Sequence, residues 1–544
     1  MTPNVSKHSR ASGRRLRGVL VGSVVVLLGG CAVGPRYHTP KLPVPGAFAA
    51  VSAGAPGQTA ASATSATAGT LVASRGAEDL ASWWHALDDA QLDSLVERAV
   101  KSNPDVRIAL DRLQAARTYE VGTIGTALPD VEASAGGGRG TGSDLSRGRA
   151  AQPLTSADNS TGLKHISEVG GFDSVWELDL FGRVRREIQA ARYNAEAAAA
   201  ARDAVLVAVI SDVARAYIDL RGLQVKAAVL HAASDTLRES LRIVRIRYER
   251  GITNELDVTL ATRELATLEA QIAPVEAQIN AAQYTIATLL GEYPEKLGGE
   301  LAQAAMIPAV PTSIDPGIPV DLLERRPDIR ESERELGAAT AGIGIATANL
   351  FPRLIATGAI GFQRDGLGTA GTTAEHIWSA GAGALWPLLD FGSLDAQVQI
   401  ATLRTRAQLV DYERTIQRAV QEVDTASVQY SAQQSRLAKL SDALVASRRA
   451  VTLATERYDR GLTDFLNVVD AQREEYDIEE QYTDAQVAAD EQFVALYRSL
   501  GGGWQNYQQV PGIRHPLPAV VAAFRAVLTR NDESRDVTDA EASE

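Results

Sequence analysis

The chain has 544 residues, 45% of them apolar, with 54 basic against 67 acidic side chains and a net charge of −13. That length allows several domains, and the acidic balance argues against nucleic-acid or phosphate binding. A single cysteine, Cys31, excludes an internal disulfide framework.

Residues 1–30 read as a secretory leader. Lys7, Arg10, Arg14, Arg15 and Arg17 precede an apolar run from Gly18 to Leu28, too short to cross a bilayer as a helix. The run ends in Leu28-Gly29-Gly30-Cys31, which places the one thiol directly after small residues. Pro35, Pro40, Pro43 and Pro45 make the next stretch extended. Residues 46–80, mainly Ala, Gly, Ser and Thr, cannot bury a core and read as a flexible tether or a loosely packed wrap, so 31–80 is expected to be an extended, lipid-anchored tether. After Cys31 no uninterrupted apolar run reaches ~18 residues, so a membrane crossing would have to be closed β-structure.

Ordered structure is expected from Trp83-Trp84. A helix with Leu92, Leu95, Val96 and Ala99 on one face follows, and Asn103-Pro104 opens another that runs to about Thr126. Strands are expected at about 129–138 and 172–180, around a Gly/Ser/Arg/Asp-rich loop from Gly136 to Gly171. In the second of them Phe172, Ser174, Trp176, Leu178 and Leu180 alternate with Asp173, Val175, Glu177 and Asp179. That length suits a tilted transmembrane strand, with Trp176, Trp378 and Trp386 as an aromatic girdle. A soluble sheet with one wet face would read the same way for a single strand.

From Arg183 to about Arg250 there is no proline, and strong helix formers dominate. Such a helix is ~100 Å long, the length of a rod or of a tube wall. A turn leads to a medium helix from about Glu255 to Leu290, then a Pro/Gly-rich connector at 292–320. The span 321–505 repeats the plan of 81–291, with strands at about 353–363 and 376–389 and a long helix at about 392–460. Residues 506–544 form a tail whose acidic end, from Asp532, is expected to be disordered.

The repetition is explicit. Trp176, Phe181-Gly182, Tyr248-Glu249-Arg250-Gly251 and Leu290-Gly291 recur 210 positions later as Trp386, Phe391-Gly392, Tyr458-Asp459-Arg460-Gly461 and Leu500-Gly501. Asn103-Pro104-Asp105-Val106-Arg107 recurs at a shift of 223 as Arg326-Pro327-Asp328-Ile329-Arg330, and Leu128-Pro129 as Phe351-Pro352. The first copy therefore carries extra residues between Pro129 and Trp176, in its loop. Leu409, Ile416, Val423, Tyr430, Leu437, Leu444, Val451 and Tyr458 recur every seven residues, as a helical seam does. The medium and short helices laid end to end nearly equal the long one. Four strands cannot close a barrel, since single-chain barrels start at about eight, so copies must share one wall.

These features, together with Cys31-Ala32-Val33-Gly34-Pro35-Arg36-Tyr37, the Leu180-Phe181-Gly182 and Asp390-Phe391-Gly392 turns, and the Arg-Tyr-x-x-Gly turns, resemble the TolC-like outer-membrane efflux proteins. The lipoprotein branch of the OprM/NodT type is the nearest in pattern. The resemblance covers residue 31 to about 505. It implies a mainly α fold with a membrane β portion, four strands per protomer completing a twelve-stranded barrel as a homotrimer. It implies an outer-membrane exit duct working with a periplasmic adaptor and an inner-membrane RND pump. It also implies that Cys31 is cleaved to become the first residue, carrying N-palmitoyl and S-diacylglycerol groups, with no other cofactor.

The same resemblance assigns the far periplasmic turns, Tyr248–Val258 and Tyr458–Ala471, to adaptor contact and gating, with Gly251 and Gly461 reversing the chain. Where the family carries two gate acids, this chain has Asn467 and Asp470, which leaves one acidic ring in a trimer. Tyr458 and Asp257 stand where the family bonds neighbouring helices to hold the closed state. An enzyme is not expected: there is no nucleophile-base constellation, no histidine pair at metal-ligand spacing, and Asp390-Phe391-Gly392 lacks the partners of a kinase motif. Two other readings remain at this stage, an exit duct for type I protein secretion and a poreless periplasmic scaffold lipoprotein.

Overall fold

The computed structural model describes residues 32–49, 80–141, 164–297, 299–311, 319–367 and 372–508. The leader, Cys31, residues 50–79 of the expected tether, residues 312–318 of the connector and the tail from 509 lie outside the described residues.

The first half contains α1 (Ala90–Ser102), α2 (Pro104–Gly125), β1 (Asp130–Thr141), β2 (Lys164–Leu178), α3 (Arg183–Glu249) and α4 (Glu255–Leu289). The second contains α5 (Pro327–Ala348), β3 (Arg353–Leu367), β4 (Thr372–Leu385), α6 (Ser393–Asp459) and α7 (Phe465–Ser499). Both long helices have 67 residues and both medium ones 35. No helix among the described residues is long and apolar enough to cross a membrane.

Local chemistry sets the helix ends. Asn103 caps α2 by accepting from the N–H groups of Asp105 and Val106, with Pro104 at the first helical position. The long helices are entered through Gly182 and Gly392, both left-handed. Their caps differ: Asp179 accepts from Val184 and Arg185, whereas Asp390, one place later in the repeat, accepts from Leu394 at 2.6 Å. Each long helix ends in a six-to-one closure, Ile252 N–H to Arg247 O and Leu462 N–H to Arg457 O, both 2.9 Å.

The four strands form one antiparallel sheet in the order β1-β2-β3-β4, so within one chain β1 and β4 each have a free edge. The strands extend further into the loops than the side-chain alternation indicates. β1 runs to Thr141 rather than 138, β2 starts at Lys164 rather than 172, β3 runs to Leu367 rather than 363, and β4 spans Thr372–Leu385 rather than 376–389. Glycine explains part of this. A Cβ on Gly171 would meet Ile360 O at 2.6 Å, and one on Gly361 would meet Gly170 O at 2.6 Å, so the backbones pair where no alternation is visible.

Ala133, Phe172, Ile360 and Trp378 are cross-strand partners in one row, and the three large ones are exposed. The neighbouring row on the other face is Glu132, Asp173, Ala359 and Ser379. An apolar outer face with a polar inner one is the pattern of a membrane barrel wall. Trp176 and Trp386 donate to Ala127 O (3.0 Å) and Leu350 O (3.1 Å), tying a strand end to a helix end in each half.

The short and medium helices stack end to end. Asn103 Nδ2 donates to Leu289 O at 2.7 Å, and Arg326, its counterpart in the repeat, donates to Ser499 O at 2.8 Å. Around these joints lies the largest core, with Trp83 stacked on Tyr497 and edge-on to Phe493. The connector is strapped into it through Leu297 and Leu301, while Arg98 bridges Glu292 and Glu300. α3 packs against α2, α4, α5 and α7 and is buried along most of its length. Among the described residues α6 packs mainly against α5 and α7, touching α3 only near its C-terminal end, and its outer flank is bare.

Residues 32–49, expected to be part of an extended tether, are docked on the helices. Val33 N–H donates to Phe181 O, Tyr37 Oη donates to Glu333 at 2.6 Å, and Phe48 is buried against Leu80 and Leu336. Gly34, at φ +87°, lies so close to Gly344 that a Cβ would meet its Cα at 2.6 Å. Only glycine permits that approach.

Asp490 on α7 is 3% exposed, its Oδ2 has no hydrogen-bond partner among the described residues, and burial pushes its pKa up to about 8. The folded chain therefore holds this proton more tightly than the unfolded chain does. Its contribution to stability is full below about pH 4 and is lost as pH rises through about 8. We expect Asp490→Asn to melt increasingly above the parent chain from pH 5 to about 8, with a slope of at most ~1.4 kcal/mol per pH unit, and by a constant margin beyond. Parallel melting curves across that range would show that the carboxyl is not titrating in place.

Candidate functional site

The ends of the helical hairpins farthest from the sheet bring the expected site residues to one place. Val244, Ala261, Phe465, Val468 and Val469 form a small core that joins the α3–α4 hairpin to the α6–α7 hairpin. Gly251 and Gly461 sit at φ +70° and +69° with open space around them, so their need for glycine is conformational rather than steric.

Asn467 and Asp470 are both exposed in the first turns of α7, three residues apart and so on one face. Asn467 donates to Thr463 Oγ1 at 2.7 Å, which turns its amide back toward its own turn. Phe465, Val468 and Val469 take the opposite, buried face. The acid at 470 is thereby held outward by three apolar anchors.

Within one chain Tyr458 and Asp257 are not joined. Asp257 accepts a hydrogen bond from the Thr253 hydroxyl in its own turn, and its N–H donates to Asn254 Oδ1. The Tyr458 ring packs on Phe465 at 5.3 Å, and its buried hydroxyl has no hydrogen-bond partner among the described residues. A charged contact that crosses between the hairpins at this end comes from Arg247. Its guanidinium lies 4.5 Å from the Tyr458 ring centroid and donates to Asp459 Oδ1 at 3.0 Å. This combines a cation–π contact with an ion pair. Its signal in the sequence is the Arg-Tyr-x-x-Gly turn, whose arginine is given no role in the reading of the motif.

Tyr248, the counterpart of Tyr458, is exposed. Exposed apolar side chains also recur at the tips in register, Ile252 with Leu462 and Leu256 with Leu466. Each hairpin end thus presents the same pair of aliphatic side chains.

The outer membrane efflux protein family matches residues 95–292 and 318–502. The chain belongs to that family. It is similar to the cation efflux system protein CusC of Escherichia coli O6:H1, 30% identical over 504 residues that cover 89% of this chain and 98% of CusC. It is also similar to nodulation protein T of Rhizobium leguminosarum bv. trifolii, 29% identical over 449 residues, covering 82% of this chain and 89% of that protein. Among solved structures, the outer-membrane channel OprN superposes with a TM-score of 0.73 at 34% identity, covering 87% of this chain and all of OprN. This outer membrane efflux protein is a TolC-like channel of the outer membrane that extends into the periplasm, its barrel closed by three copies.

Proposed function

We propose that this chain is the exit duct of a tripartite efflux assembly. An inner-membrane pump of the RND class passes small molecules through a periplasmic adaptor into the helical tube, and they leave through the β-barrel. The observation that carries this reading is continuity. One wall runs from a sheet with an apolar outer face, along helices of 67 residues or ~100 Å, to hairpin tips that expose matched aliphatic pairs. The tips suit an adaptor that docks end-on around Tyr248, Gly251, Tyr458 and Gly461. Cargo of small molecules is supported by similarity to proteins named for cation, toluene, antibiotic and pyoverdine efflux.

The gate in this reading lies at the tips. Asp470, repeated three times, forms an acidic ring that favours cations and binds a blocking multivalent ion. Arg247 clamps Tyr458 and Asp459, holding the two hairpins of a copy together. Asp257 acts through its own turn, and Asn467 removes the second acidic ring. Cys31 carries the diacylglycerol and palmitoyl groups.

Cells lacking this chain should retain a fluorescent drug as strongly as cells lacking only the neighbouring pump; undiminished export would sink the duct reading. In lipid bilayers, Arg247→Ala should raise basal conductance and Asp470→Asn should weaken block by multivalent cations, whereas Tyr458→Phe should change little. A leak in Tyr458→Phe with none in Arg247→Ala would move the lock to the hydroxyl. Labelled palmitate should enter the parent chain and not Cys31→Ser, and label retained by the variant would place the lipid elsewhere.

A further inference from the structure

The internal repeat specifies how neighbouring copies meet. Within one chain the two halves are joined where α3 meets α5, α6 and α7. Arg334 on α5 pairs with Glu196 on α3 at 3.1 Å, and the charge of Arg330 on α5 acts at longer range on Asp203 of α3, whose carboxyl is raised chiefly by burial and pairs directly with Arg202. Arg247 on α3 holds Tyr458 and Asp459 on α6, and Phe181 stacks on Phe351 at 4.8 Å. On α6, the counterpart of α3, the matching flank is uncovered. Val410 and Val428 are 62% and 57% exposed, whereas Ala200 and Ile218 at the same repeat positions are 2% and 0% exposed. Phe391, the counterpart of Phe181, is 97% exposed.

The rotation that carries the first half onto the second carries the second half onto the first half of the next copy. Each internal contact then has a counterpart between copies, found by adding 210 to a long-helix residue and subtracting 223 or 210 from its partner. Glu196–Arg334 becomes Arg406 with Asp111 of the next copy. Asp203–Arg330 becomes Glu413 with Arg107, Arg247–Asp459 becomes Arg457 with Glu249, and Phe181–Phe351 becomes Phe391 with Leu128. Arg406, Glu413, Arg457, Asp111, Arg107 and Glu249 make no side-chain ion pair or hydrogen bond among the described residues, and all but the half-buried Glu413 are exposed.

All three transferred pairs are of opposite sign. In one the polarity is inverted: arginine on α5 facing glutamate on α3 becomes aspartate on α2 facing arginine on α6. Simple inheritance of a duplicated contact would preserve the order of charges, whereas a compensated inversion is what two surfaces in contact require.

We propose that copies of this chain join through a seam made of Arg406–Asp111, Glu413–Arg107 and Arg457–Glu249, with Phe391 laid against Leu128 of the next copy. This rests on the trimeric channel architecture. The seam sets register along its whole length, since the first two pairs lie near the sheet and the third at the tips.

Arg–carboxylate partners stand further apart than the ~3.8 Å between Cβ atoms of a disulfide, so the test uses a short bis-maleimide. In full-length chain, Asp111→Cys with Arg406→Cys should give covalent dimers and trimers on denaturing gels, as should Glu249→Cys with Arg457→Cys. Any of the four substitutions alone should give neither. Independently, Asp111→Arg should lower the temperature at which the trimer dissociates, and adding Arg406→Asp should restore it. A native trimer that still exports drug but yields no covalent oligomer from either pair overturns the seam and leaves the duct reading standing. Failure of Arg406→Asp to restore Asp111→Arg also overturns it.

Discussion

The backbone hydrogen bonds of the sheet are the constraint on which the rest depends. In hydrocarbon an unpaired N–H or C=O costs several kcal/mol, so a spanning sheet cannot keep an open edge. The described residues of this chain supply four strands and two free edges. Closure has to come from other copies, and the helical part follows the same geometry. Each strand pair feeds one long helix, each long helix needs a neighbour on both flanks, and the second long helix lacks one inside the chain. The bare side of α6 and the free edges β1 and β4 express one incompleteness at two heights of the same wall.

Much of this was legible before the structure because duplication makes a sequence its own alignment. The fixed shift of 210 located both long helices and both glycine turns, and the heptad positions from Leu409 to Tyr458 are all buried or half-buried in α6. Strand ends were less legible. Side-chain alternation reports which face is buried, whereas the ladder continues wherever backbones can approach, as at Gly171 and Gly361. The docking of residues 32–49 was hidden for a related reason. Its determinants are single atoms, the missing Cβ of Gly34 against Gly344 and the hydroxyl of Tyr37 on Glu333, within a composition that reads as linker.

The site shows the same division. Conformational requirements, such as glycine at 251 and 461, can be read from residue type, because few residues adopt positive φ. Partner choice cannot. Tyr458 and Asp257 stand at positions suited to meet, yet Asp257 has a nearer donor in Thr253 and the tyrosine ring is claimed by Arg247 and Phe465. The halves have also exchanged solutions to shared problems. Asn103 and Arg326 both close a helix-to-helix joint, one by amide and one by guanidinium, and Asp179 and Asp390 cap equivalent helices from different places.

The unequal cover of α3 and α6 also orders events in time. α3 finds its neighbours within one polypeptide, so the first half and the joint around Trp83 can consolidate at a rate independent of how much protein is present. α6 finishes its packing only on encounter with another chain, a concentration-dependent step. Until then its aliphatic flank is a sticky surface, and a nascent chain waiting in the periplasm is most vulnerable to aggregation there.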